Sequence, residues 1–158
     1  MKKGFSLIEL MIVVAIIAIL AMIAVPNFMK FLAKAKRAEV YMNLSSIYAA
    51  EKAYWAEHGT YSSVLSGPGG IGWKPEGYKG GGAQEKFYYT YGFGTGTEGQ
   101  NFFTGKVGAS SSHLQPAHAG KDAFLVYAVA DIDGDGDMDV VSVDQFNNIV
   151  VVHDDLAN

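Results

Sequence analysis

Cysteine is absent from all 158 residues. That excludes a disulfide framework, a zinc–thiolate site and a cysteine nucleophile. Basic residues are also scarce: 12 Lys and Arg stand against 16 Asp and Glu, a net charge of −4. Nothing in that balance supplies the basic face that an obligatory nucleic-acid partner needs. No Ser/His/Asp spacing and no paired glutamates point to catalysis. The glycine clusters at 69–72 and 80–82 are not followed by Lys-Ser/Thr and lack a strand-to-helix setting, so no nucleotide loop is read there. The chain does not read as an enzyme. Acids are nearly missing from the first quarter, and between Leu10 and Val25 there is no polar side chain at all.

What is there begins at that gap. An apolar run extends from Phe5 to Val25, broken only by Ser6 and Glu9. About 20 apolar residues at roughly 1.5 Å each cross a bilayer core. A secretory signal peptide has a shorter core, about 7–15 residues, and a small-residue cleavage site close behind it. Here the first A-x-A, Ala33-Lys34-Ala35, lies well beyond the run. A plain anchor suits the length but leaves Glu9 without a reason. A carboxylate inside a membrane helix costs about 2.5–3.5 kcal/mol on insertion scales, so it implies a partner.

Lys2-Lys3-Gly4 followed by Phe5-Ser6-Leu7-Ile8-Glu9-Leu10 resembles the class III leader and N-terminus of type IV pilins and type II secretion pseudopilins. The resemblance implies cleavage between Gly4 and Phe5 by a prepilin peptidase on the cytoplasmic side. It also implies N-methylation of Phe5 and retention of the apolar run. Removal of Lys2 and Lys3 would leave ten basic against 16 acidic residues, a charge of −6. Cleavage creates an α-ammonium at Phe5, four residues from Glu9. In a stack of staggered helices, Glu9 of an incoming subunit would lie beside the Phe5 amine of its neighbour. A carboxylate that is costly alone becomes favourable when so paired. Glu9 and Phe5 are therefore the expected assembly residues. Pro26, at the position where pilins also carry a proline, joins them as an expected kink or loosened turn.

Past Pro26 the pattern becomes amphipathic. Phe28, Phe31, Leu32, Ala35, Tyr41, Leu44, Ile47, Tyr48, Tyr54 and Trp55 recur at helical spacing. Tyr and Trp on this stripe read as packing groups rather than as an electron path. Gly59 is the expected C-cap, which gives a helix over 5–58 of roughly 80 Å. Residues 62–82 read as a Gly-, Ser- and Pro-rich surface loop. Strands are predicted at 86–93, 101–107, 123–130, 140–143 and 149–153, with a polar loop at 110–120 carrying His113 and His118. Tight turns between the later strands make the sheet antiparallel. One long helix followed by such a sheet is an α+β class chain with the pilin architecture. The expected divisions are a leader at 1–4, the helix at 5–58 with its membrane part at 5–25, and a β domain at 59–158 that includes an αβ loop at 59–85.

The second motif is Asp131-Ile132-Asp133-Gly134-Asp135-Gly136-Asp137-Met138-Asp139. Oxygen donors at the first, third, fifth and ninth positions, with glycine at the sixth, match the front of a calcium loop. The twelfth position is Ser142, and no helices flank the loop, so it is not an EF-hand. It is similar to the D-x-D-G-D-G-x-x-D hairpin loop of FG-GAP-type repeats. The expected ligands are the side chains of Asp131, Asp133, Asp135 and Asp139 and the carbonyl of Asp137, around a structural Ca2+. Such an ion would replace the C-terminal disulfide that many pilins use, as in calcium-binding major pseudopilins.

The resemblance therefore implies a filament subunit. It waits in the inner membrane as a single-pass precursor and is processed by prepilin peptidase. The pilus assembly machinery then polymerises it into a helical homo-oligomer outside the cell. A major pseudopilin is the nearest rival, but its Asp-x-Trp-Gly pattern does not occur here. A membrane-tethered enzyme or a calcium-binding module is the rival of another class.

Overall fold

A computed structural model of the chain describes residues 4–157. Residues 1–3 of the expected leader lie outside the described residues, as does Asn158. One helix, α1 (Leu7–His58), takes up a third of the chain. Its start is chemically defined. Ser6 is the N-cap, and Glu9 is the third helical residue, forming a capping box. At the other end Gly59 adopts a left-handed conformation (φ 69°), and its N–H donates to the Trp55 carbonyl at 2.7 Å. Glycine enters that region without the steric cost of a Cβ. The helical assignment runs unbroken through Pro26, although proline has no N–H to offer the Met22 carbonyl one turn back.

The sheet is antiparallel throughout. Its strands are β1 (Thr90–Gly92), β2 (Phe102–Phe103), β3 (His118–Ala119), β4 (Phe124–Ala130), β5 (Asp139–Asp144) and β6 (Ile149–His153). The order is β2-β1-β4-β5-β6, and β3 also pairs with β4. The first two strands are much shorter than the aromatic runs suggest. Phe87, Tyr89 and Phe93 supply buried rings from irregular segments beside β1. His118 belongs to a strand rather than to a polar loop.

β4 is covered on both faces. Phe124, Val126, Ala128 and Ala130 face the main core with α1, while Tyr127 and Val129 join Ala109 and Leu114 in a second cluster. Strict alternation along one strand feeds two layers. The loop at 62–82 is pinned rather than free. Its Trp73 packs edge-on against Tyr91 and Phe103, and its indole N–H donates to Ser46 Oγ at 2.7 Å.

The helix buries Ala33, Val40, Leu44, Ile47 and Glu51. Leu44 and Ile47 lie on the predicted face, whereas Phe28, Phe31, Leu32, Tyr41 and Trp55 remain exposed. The buried residues Ala33, Val40, Leu44, Ile47 and Glu51 follow one another at three-, four- or seven-residue steps, a narrower stripe than the predicted one. The sheet accepts the small Ala33 and the β-branched Val40 where the helix comes close. The bulkier neighbours Leu32 and Tyr41 stay outside.

Glu51 is the unexpected core residue, with no exposed surface. One oxygen accepts the Ser62 N–H at 3.1 Å, and the other has no partner. Burial pushes its carboxyl up to about 7 from 4.5. A raised acid pKa means the folded state holds the extra proton. The stabilising contribution is complete below pH 4.5 and is lost as pH rises through about 7. Glu51→Gln should therefore make the full chain more stable than wild type at pH 8 by about 1–3 kcal/mol and flatten the slope between the two values. Near-UV circular dichroism of thermal unfolding in detergent reads this. Equal stability at pH 8 would rule out a penalty from the buried charge.

Candidate functional site

The N-terminal part of α1 stands free of the sheet. Every large apolar side chain from Phe5 to Phe31 is exposed, Phe5 by 81% and Val13, the least, by 46%. The stretch is long and apolar enough to cross a membrane, and none of it is buried within the chain. Water is a poor solvent for such a surface, so a bilayer or other helices must cover it.

At its tip, Glu9 already has local partners. Its Oε2 accepts the Ser6 N–H at 2.8 Å and the Ser6 hydroxyl at 2.7 Å, while Ser6 Oγ accepts the Glu9 N–H at 3.3 Å. The Ser6-x-x-Glu9 spacing is the sequence signature of this capping box, a local partner for Glu9 that carries no charge. The carboxylate is thus aimed back at Ser6 and the first residues of the chain.

The aspartate loop joins β4 to β5 and is shaped by its own side chains. Asp131 accepts the N–H groups of Gly134 and Gly136 at 2.7 and 3.0 Å. Asp133 accepts from Asp135 N, and Asp135 from Asp137 N. Gly134 and Gly136 turn the chain at φ 90° and 96°. The result brings oxygens of Asp131, Asp133 and Asp135 together with one of Asp155, all within 4.8 Å of one another. Asp155 opens the C-terminal 3₁₀ turn Asp155–Ala157. It is 2% exposed, its Oδ2 accepts the Ile132 N–H at 3.3 Å, and its Oδ1 has no partner. Burial, then the neighbouring carboxylates, push its carboxyl up to about 6.

The expected donor set is corrected at Asp139. Asp139 is fully buried and turned into the core. There it holds a two-pronged pair with Arg37 of α1 and accepts the Tyr89 hydroxyl at 2.5 Å and the Asp155 N–H at 3.4 Å. Burial, then the bond to Asp139, push the Tyr89 phenol well above its usual range. The Asp137 side chain caps Met138 N and lies 3.9 Å from His153. Neither side chain joins the cluster. The physical reason is the start of β5: strand alternation sends Asp139 toward the helix, where a guanidinium meets it. Arg37 also pairs with Asp154, and Lys36 donates to the Ile132 carbonyl at 2.5 Å. Helix, loop and C-terminal turn therefore meet at one place. His113 and His118 do not join any group of metal-capable side chains among the described residues.

The donors suit a hard cation. All four are carboxylates, with no imidazole or thiolate. Oxygens 2.3–2.6 Å from a Ca2+ lie up to about 5 Å apart across the ion, which accommodates the observed spread.

Residues 1–25 match the prokaryotic N-terminal methylation motif. The type IV major pilin protein PilA of Myxococcus xanthus is 51% identical over 74 residues, 47% of this chain. A fimbrial protein of Neisseria meningitidis serogroup A is 40% identical over 63 residues, 40% of this chain, and the type IV major pilin protein PilE1 of Neisseria gonorrhoeae is 34% identical over 77 residues, 45% of this chain. The chain spans 32%, 37% and 47% of these relatives' own lengths. With the methylation motif at its start, a helix that outruns its sheet, and pilins among its relatives, the chain is similar to type IV pilins over somewhat less than half of its length.

Proposed function

We propose that the chain is a structural subunit of a type IV pilus. It is held in the inner membrane by its apolar run and then polymerised through its N-terminal helices into an extracellular filament. The observation that carries this reading is the uncovered helix: residues 5–32 bury nothing within the chain, yet open with a methylation motif. Prepilin peptidase cuts between Gly4 and Phe5, and the new amine is N-methylated. Glu9 then exchanges or shares its Ser6 contacts with the Phe5 ammonium of a neighbour, which sets the stagger. Pro26 leaves one carbonyl of the helix without its donor, and so gives the filament core a place to bend or unwind as subunits pack. The assembly machinery lifts the subunit out of the bilayer, and the β domain faces outward.

Mass spectrometry of filaments sheared from cells expressing the full gene tests this. The N-terminal peptide is expected to begin at N-methylated Phe5. Filaments without this chain, or a surface form that keeps Met1, would overturn it.

A further inference from the structure

We propose that Asp131, Asp133, Asp135 and Asp155 bind one calcium ion that ties the β4–β5 loop to the C-terminal turn. The acidic loop alone would not carry this, because aspartate and glycine suit a solvated turn equally well. The deciding group is Asp155, which is remote in sequence from the loop. Three side chains among the described residues, Glu51, Glu85 and Asp155, hold a buried oxygen with no hydrogen-bond partner. Of these three residues only Asp155 belongs to a group of carboxylates whose oxygens lie within ligand distance of one another. A buried carboxylate with an oxygen left over is expensive, and placing three more beside it adds repulsion. A divalent cation removes both costs at once. The cations that form ion pairs around the loop do not serve: Arg37 is taken by Asp139 and Asp154, and His153 lies against Asp137.

The ion is calcium rather than a transition metal because the donors are all hard oxygens. It is calcium rather than magnesium because an irregular set from a loop and a turn does not impose octahedral geometry. Asp133 and Asp135 are the exposed side of the site, Asp131 is half-buried, and Asp155 is the buried floor. Its neighbour Asp154 reaches Arg37, and Ile132 receives Lys36, so an ion seated here also steadies the contact between the C-terminus and α1. In a chain without cysteine, such an ion adds to the Arg37–Asp154 pair in holding residues 154–157 against the helix.

Calorimetric titration of the full chain in detergent with calcium chloride should show one site. Asp155→Asn is expected to weaken it about tenfold or more, whereas Asp122→Asn, exposed at the opposite end of β4 from the loop, changes it by less than about twofold. Hydrogen exchange of the unmodified chain provides a reading that needs no variant. Calcium is expected to slow amide exchange at residues 131–137 and 154–157 together, relative to a chelator. Absence of heat at millimolar calcium, undiminished binding by Asp155→Asn, equal affinity for magnesium, or protection confined to the loop would each overturn the assignment.

Discussion

Cells making the Glu9→Val chain are expected to accumulate it in the membrane and to show no surface filaments. Valine suits a bilayer better than glutamate does, so the change favours insertion. What it removes is a charge, and with it the third-position acceptor of the capping box. The two losses are separable. Glutamine serves a capping box as glutamate does, so Glu9→Gln keeps the start of the helix while abolishing the negative charge. If Glu9 acts by pairing with the Phe5 ammonium of a neighbour, both variants lose filaments. If it acts only by capping, Glu9→Gln assembles normally and Glu9→Val pays about 1 kcal/mol in helix stability. Leaving a buried ammonium without its carboxylate costs about 3–5 kcal/mol per contact, enough to stop growth at every subunit addition. Electron microscopy and immunoblots of sheared material give the answer. Normal filaments from Glu9→Val would end the assembly role.

Arg37→Ala is expected to destabilise the β domain by about 3–5 kcal/mol, since it strands a buried charge. Asp139 has no exposed surface and would keep only the Tyr89 hydroxyl and the Asp155 N–H. Asp154 would lose its cation as well, but it is exposed and water replaces it at little cost. Arg37→Lys should recover part of the loss, because an ammonium restores the charge but not the fork that meets both oxygens of Asp139. Adding Asp139→Asn to Arg37→Ala should cost less than the two single changes summed, because the charge that lacked a partner is gone. Unfolding of the full chain in detergent, followed by near-UV circular dichroism of the buried tyrosines and Trp73, measures all three. A loss below about 1 kcal/mol for Arg37→Ala would place the pair among surface ion pairs that contribute little.

The helix was legible because its signals are local. Gly59 ends it through backbone conformation alone, and Ser6-x-x-Glu9 starts it through bonds three residues apart. The last three strands lie within two residues of the predicted spans, since β-branched runs between tight turns carry their own pattern. The aromatic segments before them were harder. Phe87, Tyr89 and Phe93 are as buried as strand residues, but outside Thr90–Gly92 the segment meets residues 101 and 106–107 through single backbone bonds rather than a regular ladder. Burial and hydrogen-bonded pairing are separate events, and residue type reports the first only.

The sequence by itself determined that a long apolar helix begins beside a methylation motif, that a sheet follows it, and that a turn dense in aspartate joins two strands. All three are properties of residues near one another along the chain. Tertiary structure alone decided which carboxylates meet. Asp139, inside the motif, is drawn to Arg37 more than a hundred positions earlier. Asp155, outside it, enters the cluster because the C-terminal turn folds back under Ile132. A carboxylate's fate depends on which charge the fold places beside it, and spacing along the chain carries no record of that.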